Sequence, residues 1–446
     1  MTSNVYINNR SNINVDTKEN IFIYFGFIFF FLMLVVPTTY QLERGVLLSL
    51  VCMGAFMKAS IGNFKIDKEI KLILYLTISS SLVFILIGVI NNNPGALRVS
   101  TVYVVWPLLY VFFAGFFQNP ILVVRFENVI IAGTIVSSIM GLLLVMDVFF
   151  GLGLQIRSLF SFQGANIGVY SGFIEYNLYN MSTLLYGFPF LFTLILVSKK
   201  NEFFKKQYIW MWIAIVLIVF VALISGRRAF WLVILLTPFI NIALLYFLKY
   251  KNQLKKLVAF VCLMIIIANI AIFVLPNINF SDIKEEFLSA FDFSGEISAH
   301  LRYLQFKVLI NGWMEKPFLG HGLGAVAGGI IRSHDMPWAF ELSYIALLFH
   351  TGIVGFCIYA SAVVWIFWSG IAIVRKIPQA APVILPLLSG LAGFLIVNAT
   401  NPYLGKFDYL WTLFLPVAAI NAYRTDARFS TSLSSTGIPE TNSQTV

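Results

Sequence analysis

Charge is scarce in this chain: 11% of its 446 residues are Asp, Glu, Lys or Arg, against 59% hydrophobic and 16% aromatic residues. An ordinary soluble domain carries about 25% charged residues, so the composition excludes a water-soluble core of this size and describes a membrane protein. Cysteine is nearly absent. Cys52, Cys262 and Cys357 all fall in apolar stretches, where a thiol behaves as a small hydrophobe, so neither a disulfide framework nor a metal site is suggested. Segment 1–19 is polar and Asn-rich, without a basic stretch feeding a short apolar run or a small-residue cleavage site, and the first apolar stretch therefore reads as retained. No tandem repeat is evident.

What the chain has in abundance is apolar runs of membrane-crossing length, which is about 17 to 25 residues. Twelve are read, near 20–37, 44–62, 70–90, 99–117, 128–150, 179–198, 207–225, 228–248, 256–275, 341–368, 379–398 and 409–423. The expected fold class is all-α, a polytopic membrane protein with about twelve transmembrane helices: nine over 20–275, three over 341–423, and a large periplasmic loop over 276–340 carrying short amphipathic helices. Segment 424–446, rich in Ser and Thr and without apolar periodicity, is expected to be a disordered cytoplasmic tail.

Basic residues orient this frame. With the N-terminus in the cytoplasm, 19 of the 30 Lys and Arg residues lie inside, and five of the remaining 11 belong to the long loop, where the positive-inside rule has little force. Both termini are expected to be cytoplasmic. The net charge of +10 then follows from orientation and calls for no nucleic-acid partner. Arg makes up 5 of the 19 inner basic residues but 7 of the 11 outer ones. Its planar fork suits phosphate or carboxylate, so the outer face reads either as an anion-holding surface or as arginines snorkelling at the interface.

The polar excursion between Pro276 and Phe340 concentrates the candidate chemistry. Asp282 and Glu285 fit a capping box ahead of Ile283, Phe287 and Phe291 at helical spacing. A second helix is expected from about Ser298 to Met314, stopping at Pro317 and setting His300, Arg302 and Lys307 near the outer mouth. Gly320-His321-Gly322-Leu323-Gly324 follows. Glycines allow backbone N–H groups to approach a phosphate, but no strand–helix–strand context surrounds them, so a dinucleotide site is excluded and a plain turn stays open. His321 is a general base, a phosphate ligand or a turn-stabilising group; His334, near Arg332, carries the same ambiguity. Glu341, in the first turn of the tenth stretch, either complements the helix dipole or accepts a proton from a sugar hydroxyl. Arg227 and Arg228, in the tight turn Ser225-Gly226-Arg227-Arg228, are functional candidates by their place at the membrane boundary, with snorkelling as the alternative.

Taken in order, these pieces resemble the bacterial O-antigen ligase and polymerase superfamily. The resemblance is carried by Ser225-Gly226-Arg227-Arg228-Ala229-Phe230, by Arg302 ahead of Trp313, by Lys316-Pro317-Phe318-Leu319-Gly320-His321-Gly322-Leu323-Gly324, and by Glu341-Leu342-Ser343-Tyr344 followed by Gly352-Ile353-Val354-Gly355. It covers roughly residues 200–370 by motif and the rest by hydropathy. It implies an outward-facing site in the bacterial inner membrane that transfers a glycan from undecaprenyl diphosphate to a hydroxyl, without cofactor or catalytic metal. The family's Ser-Arg-small-Ala pattern maps its arginine onto Arg227, with Gly226 in place of Ser and Arg228 at the small position. Ligases of the family have His-Asn where this chain has Glu341-Leu342, which looks like the polymerase branch.

The resemblance thus implies Arg227, Arg228 and Arg302 as diphosphate-binding residues, Glu341 or His321 as base, and Arg332, His334, Gly320 and Gly322 as glycan or phosphate contacts. Implied partners are the undecaprenyl-diphosphate-linked oligosaccharide, membrane lipids and a chain-length regulator protein. Three other classes compete. A flippase alternates access through two repeat halves and has no evident need of one large outer loop. A conventional polyprenyl-phosphate-sugar glycosyltransferase carries an acidic motif in a sizeable first outer loop, whereas 38–43 is short. A structural or channel protein is the remaining class.

Overall fold

The computed structural model describes residues 17–159, 165–170, 173–198, 206–225, 227–248, 255–259, 261–262, 265–266, 297–329 and 333–426. The elements are α1 (Thr17–Val35), α2 (Gln41–Ser60), α3 (Lys68–Ile90), α4 (Trp106–Phe116), α5 (Pro120–Phe150), β1 (Ala165–Tyr170), β2 (Phe173–Leu178), α6 (Met181–Val197), α7 (Lys206–Ile224), α8 (Arg228–Leu248), α9 (Ile297–Glu315), α10 (Ser343–Lys376), α11 (Ala381–Asn398) and α12 (Trp411–Thr425). Apart from 256–275, each apolar stretch read from the sequence overlies a described helix.

Local signals set several ends. Asp67 caps α3 by accepting from Glu69 N at 3.0 Å. Asn119 does the same for Ile121 N ahead of Pro120, and Gly151 (φ 59°) ends α5. Ahead of α4 the turn Thr101–Val105 is π-helical. Pro107 has no N–H to give to Tyr103 O and its ring crowds that carbonyl, so the chain widens for one turn.

Five helices among the described residues are long and apolar enough to cross a membrane: Lys68–Ile90, Pro120–Asp147, Arg228–Leu248, Ser343–Lys376 and Pro378–Asn398. Shorter apolar helices cover Ile21–Val35, Thr101–Phe116, Met181–Val197 and Tyr208–Ile224. Burial separates centre from rim. Every residue of α6 from Met181 to Leu196 is buried, as expected of a helix that is apolar all round. It packs on α11, where Gly390 faces the Tyr186 ring and Gly393 faces Pro189, leaving no room for a larger residue. α3 instead exposes Leu72, Tyr75, Leu86 and Ile90. A continuous apolar face of that kind is at home in lipid and not in water.

Two features depart from the sequence reading. Strands β1 and β2 form an antiparallel hairpin pairing Ile167 with Tyr176 and Val169 with Ile174, a small addition, not included in the sequence reading, to a fold that is all-helical as expected. The stretch 341–368 is not one unbroken helix: α10 is interrupted at Gly352, at φ 60° and ψ −170°. Several readings lie outside the described residues: residues 1–16 of the N-terminal segment, Gly226, the capping box at Asp282, most of the ninth stretch, Arg332, and the tail beyond residue 426.

The break in α10 is filled by another part of the chain. In a continuous helix Ile353 N and Val354 N would donate to Phe349 O and His350 O. Here Ile353 N donates to Pro317 O (2.9 Å) and Val354 N to Phe318 O (3.2 Å), while Phe349 O and His350 O accept from His321 N (3.0 Å) and Gly322 N (2.8 Å). Segment 317–322 is thereby spliced into the ladder of α10, and all four orphaned groups are satisfied. A Cβ on Gly352 would fall on the Phe318 carbonyl, and one on Gly322 on the backbone of Gly88, so both positions require glycine.

Candidate functional site

Helix α9 positions the candidate site. Arg302 and Gln305 are three residues apart and share one face, and that face meets the chain as it enters α10. Arg302 Nε donates to Glu341 Oε2 at 2.8 Å. Gln305 Oε1 accepts from Glu341 N at 2.9 Å and from Leu342 N at 3.0 Å. Gln305 is 4% exposed, whereas the Arg302 and Glu341 side chains are 33% and 24% exposed. A buried amide thus fixes the backbone while the ion pair it carries stays open to solvent. Glu341 precedes α10 by two residues and is not in its first turn, and Arg302 engages its carboxylate.

The ion pair stands at one end of an apolar cavity of about 560 Å³ between α3, α4, α10, α11 and α12. Phe340 and Ser343, which flank Glu341, line this end together with Trp338 and Lys406. Arg98 holds the rim, with its guanidinium 5.8 Å from the Trp338 ring and Nη1 donating to Asp335 O at 3.4 Å. Polar groups inside are few and mostly paired, such as Ser81 Oγ with Tyr359 Oη at 2.7 Å. A volume in the range of about 300 to 1,000 Å³ with apolar walls and a few polar groups at one end suits an amphipathic ligand.

The Gly-rich segment lies elsewhere and does other work. Gly320 N donates to Lys316 O, His321 N to Phe349 O, Gly322 N to His350 O and Leu323 N to Phe84 O, so these amides are engaged by carbonyls. His321 Nε2 is 2.7 Å from Gly312 O, a carbonyl at the C-terminal end of α9, and its ring stacks on Phe349 at 4.7 Å. A carbonyl only accepts, so Nε2 carries the proton and Nδ1 is left as the basic atom of the neutral ring. Glu315 Oε2 lies 3.9 Å away. Arg302 and Gly312 are ten residues apart on α9, about 15 Å along its axis. Glu341 and His321, the two base candidates, are therefore held at separate points of one helix.

The other candidates lie on other elements. Arg227 and Arg228 sit at the turn between α7 and α8, both half-buried. Arg227 N donates to Ser225 Oγ at 3.4 Å, and Arg227 Nε is buried without a hydrogen-bond partner among the described residues. No described hydrogen bond or ion pair joins Arg227 to Arg302, Glu341 or His321. His334 is exposed. Among the described residues no three His, Cys, Asp or Glu side chains converge as a metal ion would require.

No protein-family model matches the chain, and no curated protein matches it either. The geometry has to speak for itself. It adds two residues to those marked in the sequence. Gln305 carried a readable signal, since it lies one turn after Arg302 in a predicted helix. Lys406 carried none beyond its place among the outer basic residues; its ammonium lies 4.6 Å from the centre of the Tyr179 ring beside the cavity. The arrangement offers a carboxylate for a proton, a guanidinium fork for an anion, and an apolar compartment next to both.

Proposed function

We propose that this protein is a polysaccharide polymerase of the O-antigen type. It transfers a growing glycan from undecaprenyl diphosphate onto a sugar hydroxyl of an incoming lipid-linked repeat unit, at the periplasmic face of the bacterial inner membrane. The observation that carries the reading is the Arg302–Glu341 pair, clamped by Gln305, at the end of the apolar cavity. The motif resemblance and the apolar helices support it further. The reading includes twelve membrane spans and cytoplasmic termini.

The chemistry follows from the pair. A hydroxyl oxygen of the acceptor attacks the anomeric carbon, the bond from that carbon to the diphosphate oxygen breaks, and its electron pair leaves with the diphosphate. The resemblance implies inversion at that carbon. Arg302 stabilises the charge developing on the leaving group, with Arg227 and Arg228 in the same role, and the hydroxyl proton passes to Glu341. Before substrate arrives, Arg302 neutralises Glu341. A diphosphate that draws the guanidinium towards itself frees the carboxylate oxygen to accept the hydroxyl proton. The deciding experiment is the lipopolysaccharide banding of a deletion strain. Loss of the ladder with one repeat unit retained on the core is expected; loss of every repeat would point to a ligase or a flippase.

A further inference from the structure

The cavity has a second end, remote from Glu341, and it is built differently. One stripe of α3, formed by Ile70, Leu74, Thr77 and Ser81, runs along it for eleven residues, about 16 Å. It finishes at Trp365 of α10. The indole is held on two sides: Nε1 donates to Glu69 Oε2 at 2.9 Å, and the Arg424 guanidinium lies 5.5 Å from the ring. Arg424 in turn pairs with Glu69 Oε2 at 2.6 Å and Asp67 Oδ1 at 3.0 Å, and donates to Ser369 Oγ at 3.2 Å. The start of α3, the middle of α10 and the end of α12 are knotted beneath the ring. A tryptophan engaged through both its N–H and its π face is a fixed wall and not a side chain free to swing aside.

Charge gives the cavity a direction. Arg424 is outnumbered by the two carboxylates of Asp67 and Glu69, whereas at the Glu341 end Arg302 and Lys406 outnumber the single carboxylate of Glu341. An anionic headgroup is therefore favoured at the Glu341 end, and an apolar chain extends towards Trp365. Resting on the reading that the cavity receives the tail of the polyprenyl carrier, we infer that Trp365 is the floor that sets how many isoprene units are held inside. The rest of a long chain lies in the bilayer. Trp365 is then a specificity residue for carrier chain length, acting some 16 Å or more from the chemistry.

The test measures binding and not turnover. Purified full-length protein in nanodiscs is titrated with polyprenyl monophosphates graded from farnesyl to undecaprenyl. Affinity, referred to ligand already dissolved in the bilayer, should rise by on the order of a few-fold per added unit while contacts with the cavity wall are still being made, and then level off. Trp365→Ala should move the plateau to a longer chain, and Trp365→Phe, which keeps the ring, should leave it in place. Thr77→Trp, which blocks the cavity part-way, should move the plateau to a shorter chain, and this arm stands even where Trp365→Ala does not fold. An unshifted plateau in folded Trp365→Ala, or in Thr77→Trp, overturns the inference. So does equal binding of straight-chain alkyl phosphates of matched length, which would assign the cavity to bilayer lipid. A shifted plateau in a protein that does not polymerise repeat units would leave the floor standing and sink the polymerase reading; active polymerisation with an unshifted plateau would do the reverse.

Discussion

Arg44 and Asp408, 364 residues apart, form a buried ion pair at 2.7 Å that ties the start of α2 to the turn before α12. Their side chains are 2% and 5% exposed. Thr38 N donates to the same carboxylate oxygen at 3.3 Å. Among the described residues, Arg44 Nε and Nη2 and Trp411 Nε1 are buried without hydrogen-bond partners. Removing one member leaves the other charge uncompensated, which costs about 3 to 5 kcal/mol. Asp408→Ala and Arg44→Leu should each lower the unfolding temperature of the purified protein sharply. The double replacement should be less damaging than the two single effects added together, and simple additivity would show that the two groups are not coupled.

Glu341→Gln keeps the shape and removes the charge. Polymerisation by purified protein from lipid-linked repeat units should fall by on the order of a hundredfold or more, with abundance and monodispersity unchanged. Full activity would move the role of base to His321.

Arg302→Lys keeps the charge and loses the planar fork, and should lower polymerisation strongly at normal abundance. Near-normal ladders would show that a point charge suffices.

Among the described residues, Gln305 reaches the site through the backbone of residues 341 and 342. Gln305→Leu leaves two N–H groups without their acceptor, at about 1 to 3 kcal/mol each where buried. Turnover should fall more than affinity for the repeat unit, and Gln305→Glu, which retains a carboxyl oxygen, should restore part of it. Equal loss of turnover and stability with no rescue would reduce Gln305 to a packing residue.

Topology is tested by reporter fusions. Those near Lys65, Lys200, Lys251 and Arg428 should report cytoplasm, and one near Asp292 should report periplasm. A cytoplasmic signal at Asp292 would place the site on the wrong side of the membrane.

Helix positions were legible in the sequence because an apolar run in lipid has to satisfy its own backbone. The expected helix from about Ser298 to Met314 corresponds to α9, Ile297–Glu315, since its apolar spacing and the stop at Pro317 are local signals. The β1–β2 hairpin was also written there, in the alternation of Ala165–Tyr170 and Phe173–Leu178, but lay between long apolar stretches that dominated the reading. Arg302 and Glu341 were each marked for separate reasons, one as an anion ligand and one as a base. Their bond depends on how α9 lies against residues 341–342, which no local pattern encodes. The interruption at Gly352 was illegible for the same reason, because its hydrogen-bond partners come from residues 317–322.

That splice has a consequence for how the molecule opens. The amides of His321, Gly322, Ile353 and Val354 close one another's bonds, so none can be exposed without undoing the junction as a whole. In hydrogen–deuterium exchange the four should trade their protons together and slowly, as a single cooperative unit. Segment 317–322 is riveted to α10 at its break, and any motion that opens the cavity has to bend the chain elsewhere.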